Sequence, residues 1–252
     1  MKILAIFAHP DDETMLCGGL LALASSAGHS VHVVSATRGE GGDLGSPPVC
    51  RRSEAGTVRA QELACAARAL GCWRLSFMDY VDPMVGPQDE LFPFAADEDE
   101  FTARLAALIA AEQADALLTH GTDGEYGHPG HRQVNRAARA VLRSLKDRPV
   151  WYTVQAAYDS AGDRSLFNAS DAADFVLDVS GARAAKRAAI DCHRTQHAVF
   201  LNFYRRLHGR AVNLDEVVLL AESIHRAGES SCGADPLNDW LRVQSWAREV
   251  NR

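Results

Sequence analysis

The stretch Lys2-Ile3-Leu4-Ala5-Ile6-Phe7-Ala8-His9-Pro10-Asp11-Asp12-Glu13 decides how the rest of the chain reads. Ile3 to Phe7 is an unbroken apolar run, the pattern of a strand buried on both faces. An apolar, helix-like stretch begins at Met15, so one imidazole and three carboxylates sit at a strand-to-helix junction. In an open α/β sheet, ligands bind in the crevice at the carboxyl ends of the strands. Side chains of this kind at that place are candidates for metal ligation and proton transfer. The run after Lys2 has some look of a signal peptide, but it stops at Ala8 with no small-residue cleavage site behind it, so a first strand is expected.

Outward from this junction the elements alternate. After the strand Lys2 to Phe7, the pattern predicts a helix over Asp12 to Ala27, a strand over Val31 to Ala36 and a Gly/Pro-rich loop from Arg38 to Pro48. A helix from about Ser53 to Leu70, a strand from Trp73 to Met78 and a long irregular segment from Asp79 to Phe94 follow. Next come a helix over Glu98 to Glu112, a strand over Ala116 to Thr119, a loop over Gly121 to Gly127 and a helix from Pro129 to about Leu145. Later signals are less regular: strands at Val150 to Val154, Phe175 to Asp178 and Val217 to Ala221, a helix over Ala182 to His193, and a polar loop over Asp159 to Ser170. Strand–helix alternation of this order implies a Rossmann-like, doubly wound, mainly parallel sheet in three α/β/α layers. With no repeat or linker, residues 1–252 are expected to form one domain, a size that buries a sizeable core.

Composition excludes several classes. Hydrophobic residues make up 47% and charged residues 23%, which argues against disorder. A net charge of −7 and a pI near 5.8, with no basic run, give no grip on nucleic acid or anionic lipid. No stretch is long and uncharged enough to span a membrane. The six cysteines form no Cys-x-x-Cys pair and read as mostly reduced thiols of a cytoplasmic protein.

His9 and Asp12 are separated by two residues, and Pro10 biases His9 to an extended conformation and leaves Asp12 in the first helical turn. Taken alone, Asp11, Asp12 and Glu13 could equally cap a helix and complement its dipole. A second cluster shifts that balance. Gly127-His128-Pro129-Gly130-His131 also follows a strand and a loop and opens a helix, with Pro129 suited to the first helical position. Two His/Asp clusters at equivalent junctions offer nitrogen and oxygen ligands suited to zinc.

The Ala-His-Pro-Asp-Asp-Glu stretch with the downstream His-Pro-x-His resembles the LmbE/PIG-L family of zinc-dependent N-acetylglucosaminyl deacetylases. Thr37 to Gly42, Val58 to Gly71, Tyr80-Val81-Asp82 and His193-Arg194-Thr195-Gln196 extend the resemblance to about His197. It implies that His9, Asp12 and His131 bind Zn2+ (Fe2+ or another divalent ion is an alternative), leaving a position open for water. It implies Asp11 as general base, His128 and Tyr126 as stabilisers of the oxyanion, and Glu13 as a supporting or capping group. It suggests Arg59, Arg38, Glu40, Asp82 and Gln196 as substrate contacts; a solvated helix-face role for Arg59 and a dipole-stabilised His193 stay open beside these. The family commonly has aspartate where this chain has Gly130, so Asp82, Asp123 or a water is expected to orient His128. The substrate class implied is an N-acetylglucosamine conjugate, such as the malate or inositol conjugates on the bacillithiol and mycothiol routes. Alternatives are an amidase or deacylase acting on another thiol conjugate or natural product, or a metal- and sugar-binding protein without turnover. A homo-oligomer, common in the family, is a further expectation.

Overall fold

The first strand, β1 (Lys2–Phe7), is the axis of the molecule. In the computed structural model, which describes residues 1–159 and 166–250, it is followed by α1 (Asp12–Ser26), β2 (Ser30–Thr37), α2 (Ala55–Ala69), β3 (Arg74–Tyr80), α3 (Glu98–Glu112), β4 (Ala116–Thr119) and α4 (Pro129–Ser144). The remainder comprises β5 (Val150–Val154), β6 (Ala156–Ala157), β7 (Asn168–Ala172), β8 (Phe175–Asp178), α5 (Arg183–Cys192), α6 (His197–His208), α7 (Leu214–Val217), β9 (Ala221–Gly228), α8 (Pro236–Arg242) and β10 (Ala247–Glu249). Strands join in the order β10-β8-β9-β5-β4-β1-β2-β3 as an eight-stranded sheet, with β6 and β7 paired apart from it. The pairs from β3 to β5 are parallel, and β9, β8 and β10 add antiparallel partners. Chain order reverses between β1 and β4, so the crevice of the doubly wound sheet opens above these two strands.

Residues alternate along β1 between two cores, which explains its unbroken apolar character. Ile3, Ala5 and Phe7 pack with Leu16 and Leu20 of α1, Leu63 of α2 and Ala189 of α5. Leu4, Ile6 and Ala8 pack with Phe101 and Leu105 of α3 and Val134 and Ala138 of α4. Helices therefore cover both faces, as the strand–helix alternation predicts.

Three expectations change. Val217 to Ala221 is not a strand: Asn213 accepts the amides of Asp215 and Glu216, Glu216 returns a bond to the Asn213 amide, and this reciprocal cap winds α7 before β9 begins at Ala221. The polar segment Asp159 to Ser170 ends in β7, which takes in Asn168 to Ser170; residues 160–165 lie outside the described part. Two cysteines, Cys65 of α2 and Cys192 of α5, form a disulfide, which removes the cysteine argument for a reducing compartment. Helices α6 and α8 occupy a tail that carries no motif. No described helix is long and apolar enough to cross a membrane.

Candidate metal centre

The loops leaving β1 and β4 bring five polar side chains together under almost no solvent: His9, Asp12, His120, His128 and His131 are each buried. The extended residue forced by Pro10 carries His9 over the sheet edge, and Asp12 stands in the first turn of α1. Asp12 accepts the His9 amide at 2.8 Å, which closes the strand-to-helix turn. His128 is the N-cap of α4, its ring nitrogen Nδ1 accepting the Gly130 amide at 3.1 Å, and Pro129 fills the first helical position. His131 then lies one turn in, stacked between His128 and His120 with ring centroids 4.5 and 3.8 Å away.

Hydrogen bonds decide which nitrogens keep a free lone pair. His120 accepts the Ala8 amide on Nε2 at 3.0 Å and donates from Nδ1 to Glu125 at 2.9 Å, so both of its nitrogens are committed. His128 has spent its Nδ1 lone pair on Gly130. His131 donates from Nδ1 to Glu125 at 2.6 Å, which leaves Nε2 bare, buried and without a hydrogen-bond partner. His9 faces Asp82 with Nε2 at 3.3 Å and Asp12 with Nδ1 at 3.4 Å. His9 Nδ1 and the bare His131 Nε2 thus flank the two oxygens of Asp12, the second at 3.2 Å. Two ligands about 2.0–2.1 Å from a tetrahedral ion stand roughly 3.3–3.4 Å apart, close to the spacing of each of these nitrogen–oxygen pairs. The ligand atoms of His9, His128 and His131, and those of Asp12, His120 and His131, lie within 4.8 Å of one another, so the cluster could hold a metal ion.

The electrostatics match that geometry. Burial opposes charge on Asp12, but His131 and His120 beside it hold its carboxyl well below the usual carboxylate range. Burial also opposes charge on Glu125, yet His120 and His131 keep it anionic far into acid. Its four acceptor positions are filled by His120, His131, the Gly121 amide at 3.0 Å and Asn168 at 3.1 Å. A carboxylate that fixes the tautomer of a ligating imidazole is the common support of a metal site. Asp11 sits at a backbone φ of 112°, a region where a residue with a Cβ is strained, at the N-cap of α1. Burial lifts its carboxyl to about 6 in spite of the Arg59 guanidinium 3.2 Å away, a value near that of a base working at neutral pH. Glu13, buried beneath, accepts the Asp11 amide at 3.0 Å and a bond from the His193 ring at 3.0 Å.

The structure places the other sequence candidates differently. Asp82 faces His9, and Asp123 is taken by the amide and hydroxyl of Ser170, so neither orients His128. For these two carboxylates the expectation fails: the His128 Nδ1 partner is an amide donor, and burial with the neighbouring His9 and His131 pushes the His128 pKa down to about 2. His128 is therefore a neutral ring carrying its proton on Nε2. A Cβ on Gly130 would stand 3.3 Å from His128, His9 and Phe94 alike, so a side chain there would press on all three. Arg59 is buried and donates from its two terminal nitrogens to the carbonyls of Gly39 at 2.9 Å and Pro10 at 2.6 Å as well as to Asp11, while its Nε is buried without a partner. Gln196 donates to the Asp43 carbonyl, and Glu40 accepts the Asp82 amide, so both tie loops together. Arg38 pairs with Asp79 and lies over the Phe77 ring. Tyr126 alone presents a half-exposed ring over the cluster, its edge toward His128 and His131. Sequence patterns gave no hint of His120, Glu125 or Asn168.

Residues 4–142 match the family model described as PIG-L, GlcNAc-PI de-N-acetylase. A relative in Mycolicibacterium vanbaalenii PYR-1, a 1D-myo-inositol 2-acetamido-2-deoxy-alpha-D-glucopyranoside deacetylase, is 32% identical over 232 residues, covering 79% of this chain and 81% of its own. The N,N'-diacetylchitobiose deacetylase of Pyrococcus horikoshii superposes with a TM-score of 0.62 at 18% identity, over 89% of this chain and 82% of its own. The 4-carboxy-2-hydroxymuconate hydratase of Pseudomonas putida KT2440 gives the same TM-score of 0.62 at 22% identity, over 90% and 96%. At such identities the two structures speak for the fold alone.

Proposed function

The chain belongs to the PIG-L family of de-N-acetylases, and on that premise we propose that it removes the acetyl group from an N-acetylglucosamine conjugate, with a glucosaminyl-inositol compound as the first candidate substrate. The observation that carries the reading is the convergence of His9 Nδ1 and the unpartnered His131 Nε2 on the Asp12 carboxylate. His9, Asp12 and His131 would hold a zinc ion, with Asp82 and Glu125 fixing the two imidazoles from behind. Zinc, when bound, supplies a Lewis acid for the amide carbonyl and makes water more acidic.

The chain's own groups do the rest. Asp11, ionised above its raised pKa, takes the proton from the attacking water. His128 donates its Nε2 proton as a hydrogen bond to the developing oxyanion, and as a neutral donor it needs no carboxylate partner. The Tyr126 hydroxyl offers a second donor from the open side of the site. Asp11, having gained a proton, is the group that returns it to the departing amine. Residues 1–252 are read as one deacetylase domain, a reading supported by one eight-stranded sheet that holds both β1 and β10.

Acetate release tests this across the inositol and malate conjugates of N-acetylglucosamine, chitobiose and free N-acetylglucosamine, with and without chelator. Release from one conjugate, lost on metal removal and restored by zinc, is expected. Undiminished turnover in Asp11→Asn removes the base, and turnover after proven metal removal removes the metal. Zinc bound with no acetate from any of the four points to a binding protein instead.

A further inference from the structure

The helix that carries Asp12 and Glu13 is broken. Within α1, Cys17 has φ −150° and ψ 21°, far from helical values, so the catalytic turn Asp12 to Leu16 and the segment from Gly18 onward are separate helical pieces. Any such break strands backbone carbonyls before it and amides after it, and in a buried helix these must find partners. Here three side chains from three other elements supply them. Gln155, just past β5, donates from Nε2 to the Leu16 carbonyl at 2.9 Å. Lys186 of α5 lies 3.4 Å from the Met15 carbonyl. Glu222 of β9 accepts the Gly19 and Leu20 amides, one on each oxygen, at 2.8 Å. Lys186 and Glu222 also pair with each other at 2.5 Å, both side chains 1% exposed. Gly19 itself leaves room: a Cβ there would stand 2.4 Å from Val179.

From this arrangement we infer that Gln155, Lys186 and Glu222 are positioning residues for the metal site, clamping the break so that the short turn keeps Asp11 and Asp12 aimed across the crevice. The inference rests on the proposed metal site. A continuous helix would need none of these groups, and a bare core would leave four backbone groups unpaired. A buried ion pair is weak evidence for stability in itself, but it is well suited to fixing one geometry among several. Hydrogen bonds to both sides of the break convert a soft point of the backbone into a defined angle.

The test compares the full chain with Gln155→Met, which keeps side-chain length but loses the donor. A second variant, Lys186→Met with Glu222→Gln, removes both charges together. Ile109→Val, a buried change in α3, serves as a control for simple loss of stability. Zinc affinity is measured by chelator competition, melting temperature on metal-free protein, and kcat and KM on the substrate that releases acetate. Zinc binding about 10–100-fold weaker is expected in both clamp variants, the range seen when outer supports of metal ligands are removed. A lower kcat with KM within twofold should accompany it, beyond anything the control shows at a matched melting temperature. Zinc affinity and kcat within twofold of the parent in folded variants overturn the inference while leaving the metal site intact. A parent protein that binds no zinc overturns both. If the double variant fails to fold, Gln155→Met decides alone.

Discussion

Replacing Glu125 by glutamine tests whether one carboxylate sets the tautomers of two imidazoles. The native side chain accepts from His120, His131, Gly121 and Asn168, four donors between 2.6 and 3.1 Å. A glutamine keeps a single acceptor oxygen with two lone pairs, so at least two buried donors lose their partner and face an NH2 group. Each unpaired buried donor costs about 1–3 kcal/mol, which sets a loss of roughly 2–6 kcal/mol for the metal-free fold. The lower bound corresponds to a fall of roughly 4–8 °C in Tm for a chain of this size. Whichever way the amide turns, His131 loses its bond to an anion, and a neutral acceptor holds it about half as strongly. Zinc binding should weaken about 10–100-fold, or roughly 1.4–2.8 kcal/mol. Competition with a chromogenic chelator and melting of the metal-free protein read the two effects separately. A Glu125→Gln protein with both values indistinguishable from the parent would refute the claim that this carboxylate organises the site.

Three further outcomes follow from the geometry. Arg59→Lys should lower kcat by about tenfold or more with KM within twofold, because the guanidinium holds Pro10 and Asp11; a rise in KM alone would return Arg59 to the aglycone. The pKa of Asp11 is raised by burial to about 6, so its ionised form is disfavoured in the fold. Stability at this group therefore declines as pH rises from about 4 through 6, while kcat/KM climbs over the same limb. Asp11→Asn should flatten that stability change, read by melting across pH, and cut kcat by about 10²–10⁴. A bound cation would move the activity limb lower, never higher. Finally, Cys65→Ser with Cys192→Ser opens a link across 127 residues and should destabilise the fold by about 2–4 kcal/mol in denaturant titration; an unchanged midpoint would mean the bond does not form in solution.

What the sequence shows of the site divides along physical lines. His9, Asp12 and His131 are legible because proline and a helix start fix their direction within a few residues. Glu125 is not: its support of His131 depends on a left-handed φ of 56° that folds its side chain back beneath α4. His120 becomes part of the cluster only through the pairing of β4 with β1. For Arg59 and Gln196 the residue type is readable but the destination is not, since both turn their donors inward onto loop carbonyls. The alternation of β1 to α4 reveals the parallel half of the sheet. The antiparallel edge is harder, because α7 hides its Asn213-x-x-Glu216 cap before an apolar run that mimics a strand. Cys17-Gly18-Gly19, weak helix formers in the middle of a helix, is the one local sign that α1 is broken.

The sheet divides the labour of the site in a way that matters for comparing relatives. His9, Asp12 and His131, the proposed metal ligands, all lie before residue 132, inside the segment that the family model matches. Asn168, Lys186, His193 and Glu222, which hold those side chains in place, come from beyond β5. Two homologues can therefore carry identical motifs and still differ in metal affinity or rate, because their distal halves have drifted. Sorting such relatives by the partners of Glu125 and the occupants of the α1 break would separate them where the motif cannot.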